Sequence, residues 1–264
     1  PIVSYNIIKE HFPEGFSPER IVIHDHSGAV PVSDLETVGV PILFYSVDTH
    51  HHLQHHLLLS ESVDKVLVAQ KDYLPAFRER GIDAEWFPLW ASRIPEKSEE
   101  KKYGAVFIGS LNSKLNPERV EFFENLQKEC NVLCKQGDWI NYFPFSKIVI
   151  NQTVKKDLNF RVFEALGSGT CLLTERIDNG LLDIFEDGVD LVLYEKGNFQ
   201  DAASKIKNLL SNPDKINQIS DSGREKVLNS HSPEVRANMM FDYIKDLKIK
   251  QKRLLYSGLT TNYI

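Results

Sequence analysis

Three cysteines, Cys130, Cys134 and Cys171, are all that the 264 residues contain. An odd number without a Cys-x-x-Cys pair is no basis for a disulfide framework or a closed zinc site. A reducing, cytoplasmic setting is therefore expected. No apolar run approaches the roughly 20 residues that span a bilayer, and the first residues lack the charged, apolar and small-residue zones of a secretory signal. Positive charge is in deficit too: 31 Lys and Arg stand against 37 Asp and Glu, a net charge of -6. That leaves no basic field to hold a nucleic-acid backbone, so nucleic acid is excluded as a partner. Nothing in the sequence defines an oligomeric state.

What is present is the material of an α/β chain. Seven short Val- and Ile-rich runs lack strict alternation, as strands do when a parallel sheet is covered on both faces. They are Arg20 to His26, Pro41 to Asp48, Lys65 to Gln70, Gly104 to Gly109, Lys147 to Asn151, Thr170 to Glu175 and Asp190 to Glu195. AEWFPL and NVLC are weaker candidates. Helical patterns lie between them, with proline at the first position of two (Pro117 after Asn116, Pro233 after Ser232) and Gly81 ending another. Strand and helix alternate, which predicts parallel sheets with right-handed crossovers. Ala91 to Lys102 is charged and nearly free of apolar side chains, and reads as a linker. Two Rossmann-like lobes are expected, at 1–95 and 103–232, with a cleft between them and with 233–264 packing back on the first. The tail after Lys252 is apolar enough to dock on a surface or to fray.

The richest stretch runs from Lys156 to Glu195. After the KIVIN strand come a loop, a helix opening near Asn159, a Gly167-Ser168-Gly169 turn, another strand, and Asn179-Gly180 leading into an acidic helix. Arg161 and Glu164 are three apart and share a helix face. A helix start suits a phosphate, an arginine there adds a two-pronged clamp, and a glutamate can accept from a ribose diol. The same pair is otherwise an ordinary solvated helical couple. Gly109 and Ser110, ending GAVFIGS, offer backbone N–H groups close to phosphates. Lys114 and Arg119 add charge, or are surface residues.

The string NFRVFEALGSGTCLLTERIDNGLLDIFEDGVDLVLY resembles the nucleotide-sugar-binding core of GT-B glycosyltransferases, and most closely the family similar to the spore-maturation protein CgeB. Asn159, Arg161, Phe163, Glu164, Ala165, Gly167, Gly169, Thr174 and Phe185 to Gly188 carry the resemblance. It implies two Rossmann-like lobes and sugar transfer from a nucleoside diphosphate sugar (UDP, GDP or ADP type) to a hydroxyl on a glycan, protein or small molecule. Asn159, Arg161, Glu164, Gly109 and Ser110 would form the donor site. No metal or further cofactor is called for, and no Asp-x-Asp motif is evident. The retaining members carry two glutamates eight positions apart; Glu164 matches the second, but Lys156, beside Asp157, stands where the first belongs.

Six of the nine histidines fall between His26 and His56. Asp48 ends a strand, and a general base for an acceptor hydroxyl is expected there, with His50 or His51 as its partner or rival. His51 with His55, or His52 with His56, are four apart and could instead ligate a metal, although helix-start histidines are commonly solvated. His24-Asp25-His26 ends another strand and either binds acceptor or caps a loop. Two further readings stay open: a non-catalytic nucleotide- or glycan-binding relative, kept alive by Lys156 and the short chain, and a sugar-nucleotide epimerase or phosphorylase.

Overall fold

The computed structural model describes residues 3–25, 32–250 and 252–254. The chain divides into two units, Pro1–Pro88 with Asn238–Ile264, and Leu89–Ala237. The first unit holds β1 (Val3–Ser4), α1 (Tyr5–Glu10), β2 (Ile21–His24), β3 (Val32–Ser33), β4 (Ile42–Ser46), α2 (Thr49–Ser60), β5 (Lys65–Val68), α3 (Leu74–Arg78) and β6 (Ala84–Trp86). Strands β2-β4-β5-β6 form a parallel sheet in simple chain order. β4 and β5 are buried at every position whereas β2 alternates half-buried and exposed, as an edge strand with one covered face should. His26 lies outside the described residues. A two-stranded parallel pair, β1 with β3, was not expected from the sequence; two residues per strand are too short for a periodic signal.

The second unit holds β7 (Tyr103–Ile108), α4 (Pro117–Glu129), β8 (Val132–Lys135), β9 (Ser146–Asn151), α5 (Phe160–Gly167), β10 (Cys171–Glu175), α6 (Leu181–Ile184), β11 (Val192–Tyr194), α7 (Phe199–Leu210) and α8 (Pro213–Ser230). α9 (Pro233–Lys245) begins in this unit and ends in the first. The sheet is parallel throughout, in the order β11-β10-β9-β7-β8. Its core joins Phe107, Ile148, Ile150, Cys171 and Leu173 of the strands to Phe122, Phe123 and Leu126 of α4 and Ala202 and Ile206 of α7. Both weaker strand candidates form, as β6 and β8. No helix among the described residues is long and apolar enough to cross a membrane.

The stretch expected to be a linker is instead laid along the second unit. Ala91 is fully buried and its N–H donates to the His231 carbonyl at 3.0 Å. Lys97 pairs with Asp221 at 2.5 Å, and Lys101 Nζ donates to the Pro144 and Gly169 carbonyls at 2.8 and 3.1 Å. Long cationic stems and backbone groups make these anchors, so apolar content gave no sign of them.

The tail is anchored as well, within the first unit. Arg253 is 7% exposed. Its Nε donates to Asp64 Oδ1 at 2.9 Å, Nη2 donates to Asp64 Oδ2, and further bonds reach the Leu35, Val38 and Val40 carbonyls. Asp64 also accepts the Ile42 N–H at the start of β4 and the Lys250 N–H. Residues 255–264, the rest of that tail, lie outside the described residues.

A half-buried imidazole, His55, and a buried one, His231, give the fold an acid sensitivity. Burial, aided by the charges of His56 and Arg236 respectively, pushes His55 and His231 down to about 4. Each folded-state value lies below the unfolded value near 6.5, so the unfolded chain binds these protons first as pH falls. Their stabilisation is complete above about pH 6.5 and lost toward pH 4. The melting temperature is expected to drop between pH 7 and 4.5, with a shallower drop for His231→Gln; equal slopes would remove His231 as a cause.

Candidate functional site

In an open parallel sheet, ligands bind beyond the carboxyl ends of the strands where the strand order reverses. β8 lies on one side of β7 while β9, β10 and β11 lie on the other, so the second unit reverses between β7 and β9. The four-stranded sheet of the first unit runs in chain order and has no such point.

Arg161, in the first turn of α5, sits at that reversal. Its Nε donates to the carbonyl of Ile108, the last residue of β7, at 3.1 Å, and its Nη1 donates to Asn151 Oδ1, at the end of β9, at 2.8 Å. The guanidinium thus bridges the two strands between which the order turns. Burial, followed by the charge of Arg119, lowers Arg161 to about 10. Arg119, in α4, is itself buried; its Nε and Nη2 donate to the side chain and carbonyl of Gln152 at 2.8 and 2.9 Å. Both guanidiniums approach the Phe107 ring, at 4.8 Å for Arg161 and 5.6 Å for Arg119. Neither forms an ion pair among the described residues. Two such cations of low hydration beside one another favour an anion between them.

Asn159 is the N-cap residue of α5, in extended conformation, yet its side chain does not cap the helix. Its Nδ2 donates to Asn151 Oδ1 at 3.3 Å, and its buried Oδ1 meets no donor among the described residues. The uncapped first turn leaves backbone N–H groups for a ligand, where the helix dipole adds positive potential. Glu164, one turn further along, is half-buried and accepts from Ser92 Oγ at 2.6 Å. Burial raises its pKa, opposed by Ser92, Arg161, Arg93 and Trp139. Arg161, Asn159 and Glu164 are thus brought together as the sequence led us to expect.

Gly109 has a different part from the expected one. Its N–H is already given to the Lys135 carbonyl at 2.9 Å in the sheet, so it has none to offer a phosphate. What the position requires is space: a Cβ there would stand 2.5 Å from Arg161 Nη2 and 2.9 Å from the Phe107 ring. Ser110 is exposed beside it, and Lys114 is exposed as well. Asn151, Gln152 and the Ile108 carbonyl were missed by the sequence reading, and the only sign of Asn151 was a polar residue ending an apolar strand.

In the first unit, Asp48 precedes α2, is half-buried and does not cap the helix with its side chain. Its N–H donates to Asp25 Oδ2 at 2.9 Å. His50 is half-buried and His51 exposed, their rings 4.1 Å apart. A carboxylate–imidazole pair does form at this turn, but between Asp25 and His56, at 3.3 Å, with Ser46 Oγ 2.7 Å from the other ring nitrogen. All three are buried. The turn holding Asp48 is therefore fixed from beneath by Asp25, which the sequence had offered only as an acceptor contact or loop cap. α2 is kinked at His52, so the four-residue spacing of the histidines does not define one straight face. No group of three His, Cys, Asp or Glu able to hold a metal occurs among the described residues.

Residues 116–242 match the model of a family described as glycosyl transferase-like. No curated protein sequence matches the chain. Among solved structures, the chain is similar to TarM (15% identity, TM-score 0.59, 79% of this chain and 51% of TarM). It is similar also to Anabaena HepE, solved with UDP and glucose (13%, 0.61, 79% and 72%), and to a glycosyltransferase from Rickettsia africae (14%, 0.60, 91% and 78%). TarM of S. aureus has been solved with fondaparinux, α-GlcNAc-glycerol and UDP. The chain spans about half the length of TarM. Its fold is that of the GT-B glycosyltransferases, with parallel Rossmann-like sheets. Most of the glycosyl transferase-like segment lies in the second unit.

Proposed function

We propose that the chain transfers a sugar from a nucleoside diphosphate sugar to an acceptor hydroxyl, with the donor held in the second unit. The observation that carries this is Arg161 bridging the ends of β7 and β9 at the reversal of strand order, without an ion pair among the described residues and beside a second such arginine. In this reading Arg161, Arg119 and the first turn of α5 neutralise the diphosphate and the charge that grows on it as the glycosyl bond breaks. Glu164 accepts from the ribose, and Asn159, at the start of α5, lines the same site. In the same reading the first unit takes the acceptor, and Asp48 removes the acceptor proton. Its kinship is read as CgeB-like, on the Asn159 to Gly188 pattern, and its setting as cytoplasmic, on the unpaired cysteines.

Thermal unfolding against UDP, GDP, ADP and their sugars tests the donor site. One nucleotide is expected to raise the melting temperature by several degrees when present at about 100 times its Kd, where binding adds about 2.7 kcal/mol. Glu164→Ala is expected to reduce that rise. No rise with any nucleotide would turn the reading toward a glycan-binding relative without catalysis.

Two variants separate the parts. Gly109→Ala is expected to cost about 1–3 kcal/mol of stability, because its Cβ would press on Arg161 Nη2 and on the buried Phe107 ring. Moving them displaces Arg161, so nucleotide affinity is expected to fall about tenfold; unchanged affinity in a titration would remove the space-making role. Asp48→Asn is expected to keep donor binding and lose about a hundredfold in sugar-transfer rate. Lost donor binding would show that Asp48 is not the base.

A further inference from the structure

The loop between β9 and α5 holds the one place among the described residues where two successive side-chain-bearing residues take left-handed backbone: Lys155 at φ 50° and Lys156 at φ 63°. For residues other than glycine this costs about 1–2 kcal/mol each, and it persists only where the surroundings enforce it. Here they do. Asn179 Nδ2 donates to the Lys156 carbonyl at 2.9 Å, Val154 N–H donates to Asp157 Oδ1 at 2.7 Å, and Asp157 N–H returns to the Val154 carbonyl. Thr153 gives both its N–H and its hydroxyl to the buried Glu175.

The result is a fixed turn with both lysine side chains exposed. Lys156 forms no ion pair among the described residues. The nearest acid in sequence, Asp157, accepts the Val154 N–H and forms no ion pair with Lys156.

Where this turn lies along a bound donor follows from α5, on the donor reading above. Glu164 and Arg161 are one turn apart, about 4.5 Å along the axis. With the nucleoside at Glu164 and the diphosphate at Arg161, the glycosyl group continues beyond the helix start, toward residues 153–158. A neutral sugar gives the Lys156 ammonium nothing to pair with. We propose that the donor's glycosyl group carries a carboxylate, as a uronate does, and that Lys156 selects it. Lys156 is in this sense a specificity-determining residue.

The test is calorimetric titration of the full chain with UDP, UDP-glucose and UDP-glucuronate, at low and high salt, for the wild type and Lys156→Gly. Glycine takes φ 63° without strain, so the variant keeps the turn. The wild type is expected to bind UDP-glucuronate about three- to tenfold more tightly than UDP-glucose at low salt, a preference that shrinks as salt screens it. Lys156→Gly is expected to lose the preference while keeping its affinity for UDP. Equal affinity for the two sugars in the wild type overturns the proposal while leaving the donor site standing. So does an equal loss for UDP and both sugars in Lys156→Gly, which would place the lysine on the diphosphate. Absence of UDP binding overturns this proposal, and the donor reading falls with it if GDP and ADP also fail to bind.

Discussion

Arg161→Ala is expected to weaken nucleoside diphosphate binding by about 2–5 kcal/mol, roughly 30- to several thousand-fold in Kd. The upper part of that range applies if the diphosphate is held mainly by this one fork. The guanidinium also ties the Ile108 carbonyl to Asn151 Oδ1, so its removal leaves two acceptors short of a donor and lowers stability by about 1–3 kcal/mol. Arg161→Lys separates the two roles: it keeps a charge but cannot span both strand ends while facing a ligand. The lysine variant is expected to fall between wild type and alanine in affinity. Calorimetric titration decides it, and wild-type affinity in Arg161→Ala would remove this residue from the donor site.

Arg253→Ala is expected to cost about 3–5 kcal/mol of stability, because it strands a carboxylate in the interior. Asp64 would keep the Ile42 and Lys250 N–H bonds but lose its countercharge. The Leu35, Val38 and Val40 carbonyls would lose the hydrogen bonds that Arg253 donates to them. These groups lie at the start of β4 and in the segment before it, so the loss falls on the first unit. Replacing both partners, Asp64→Asn with Arg253→Met, is expected to recover part of it, since buried pairs are often replaceable by neutral groups. Chemical denaturation measures both. A loss under 1 kcal/mol in Arg253→Ala would mean that water reaches Asp64 readily.

The strands of the two larger sheets could be read from the sequence because a strand covered on both faces leaves a local mark: IVIN, CLLT and ILFYS are apolar runs of strand length. Pro117 and Pro233 announced their helices for an equally local reason. Arg161 and Glu164 were legible through their spacing and through the resemblance of the Asn159 to Gly188 string.

What escaped depends on contacts distant in sequence. The Asp25–His56 pair joins positions 31 residues apart, while six other histidines nearby offered equally good partners on paper. Arg253 reaches Asp64 across 189 residues. Gly109 was picked out, but for its N–H; only the Arg161 side chain lying against it shows that the missing Cβ matters. The stretch from Ala91 to Lys102 looked unattached because its anchors are carbonyls and lysine stems, which leave no apolar pattern.

Hydrogen–deuterium exchange of the full chain with and without saturating UDP tests the donor site most directly. Slower exchange is predicted in peptides covering 107–119 and 151–166, the ends of β7 and β9 with the starts of α4 and α5. The peptides of β2, β4 and β5 are predicted not to change with nucleotide alone. Protection centred on the first unit, or none at a UDP concentration that raises the melting temperature, would contradict a donor site at the reversal of strand order.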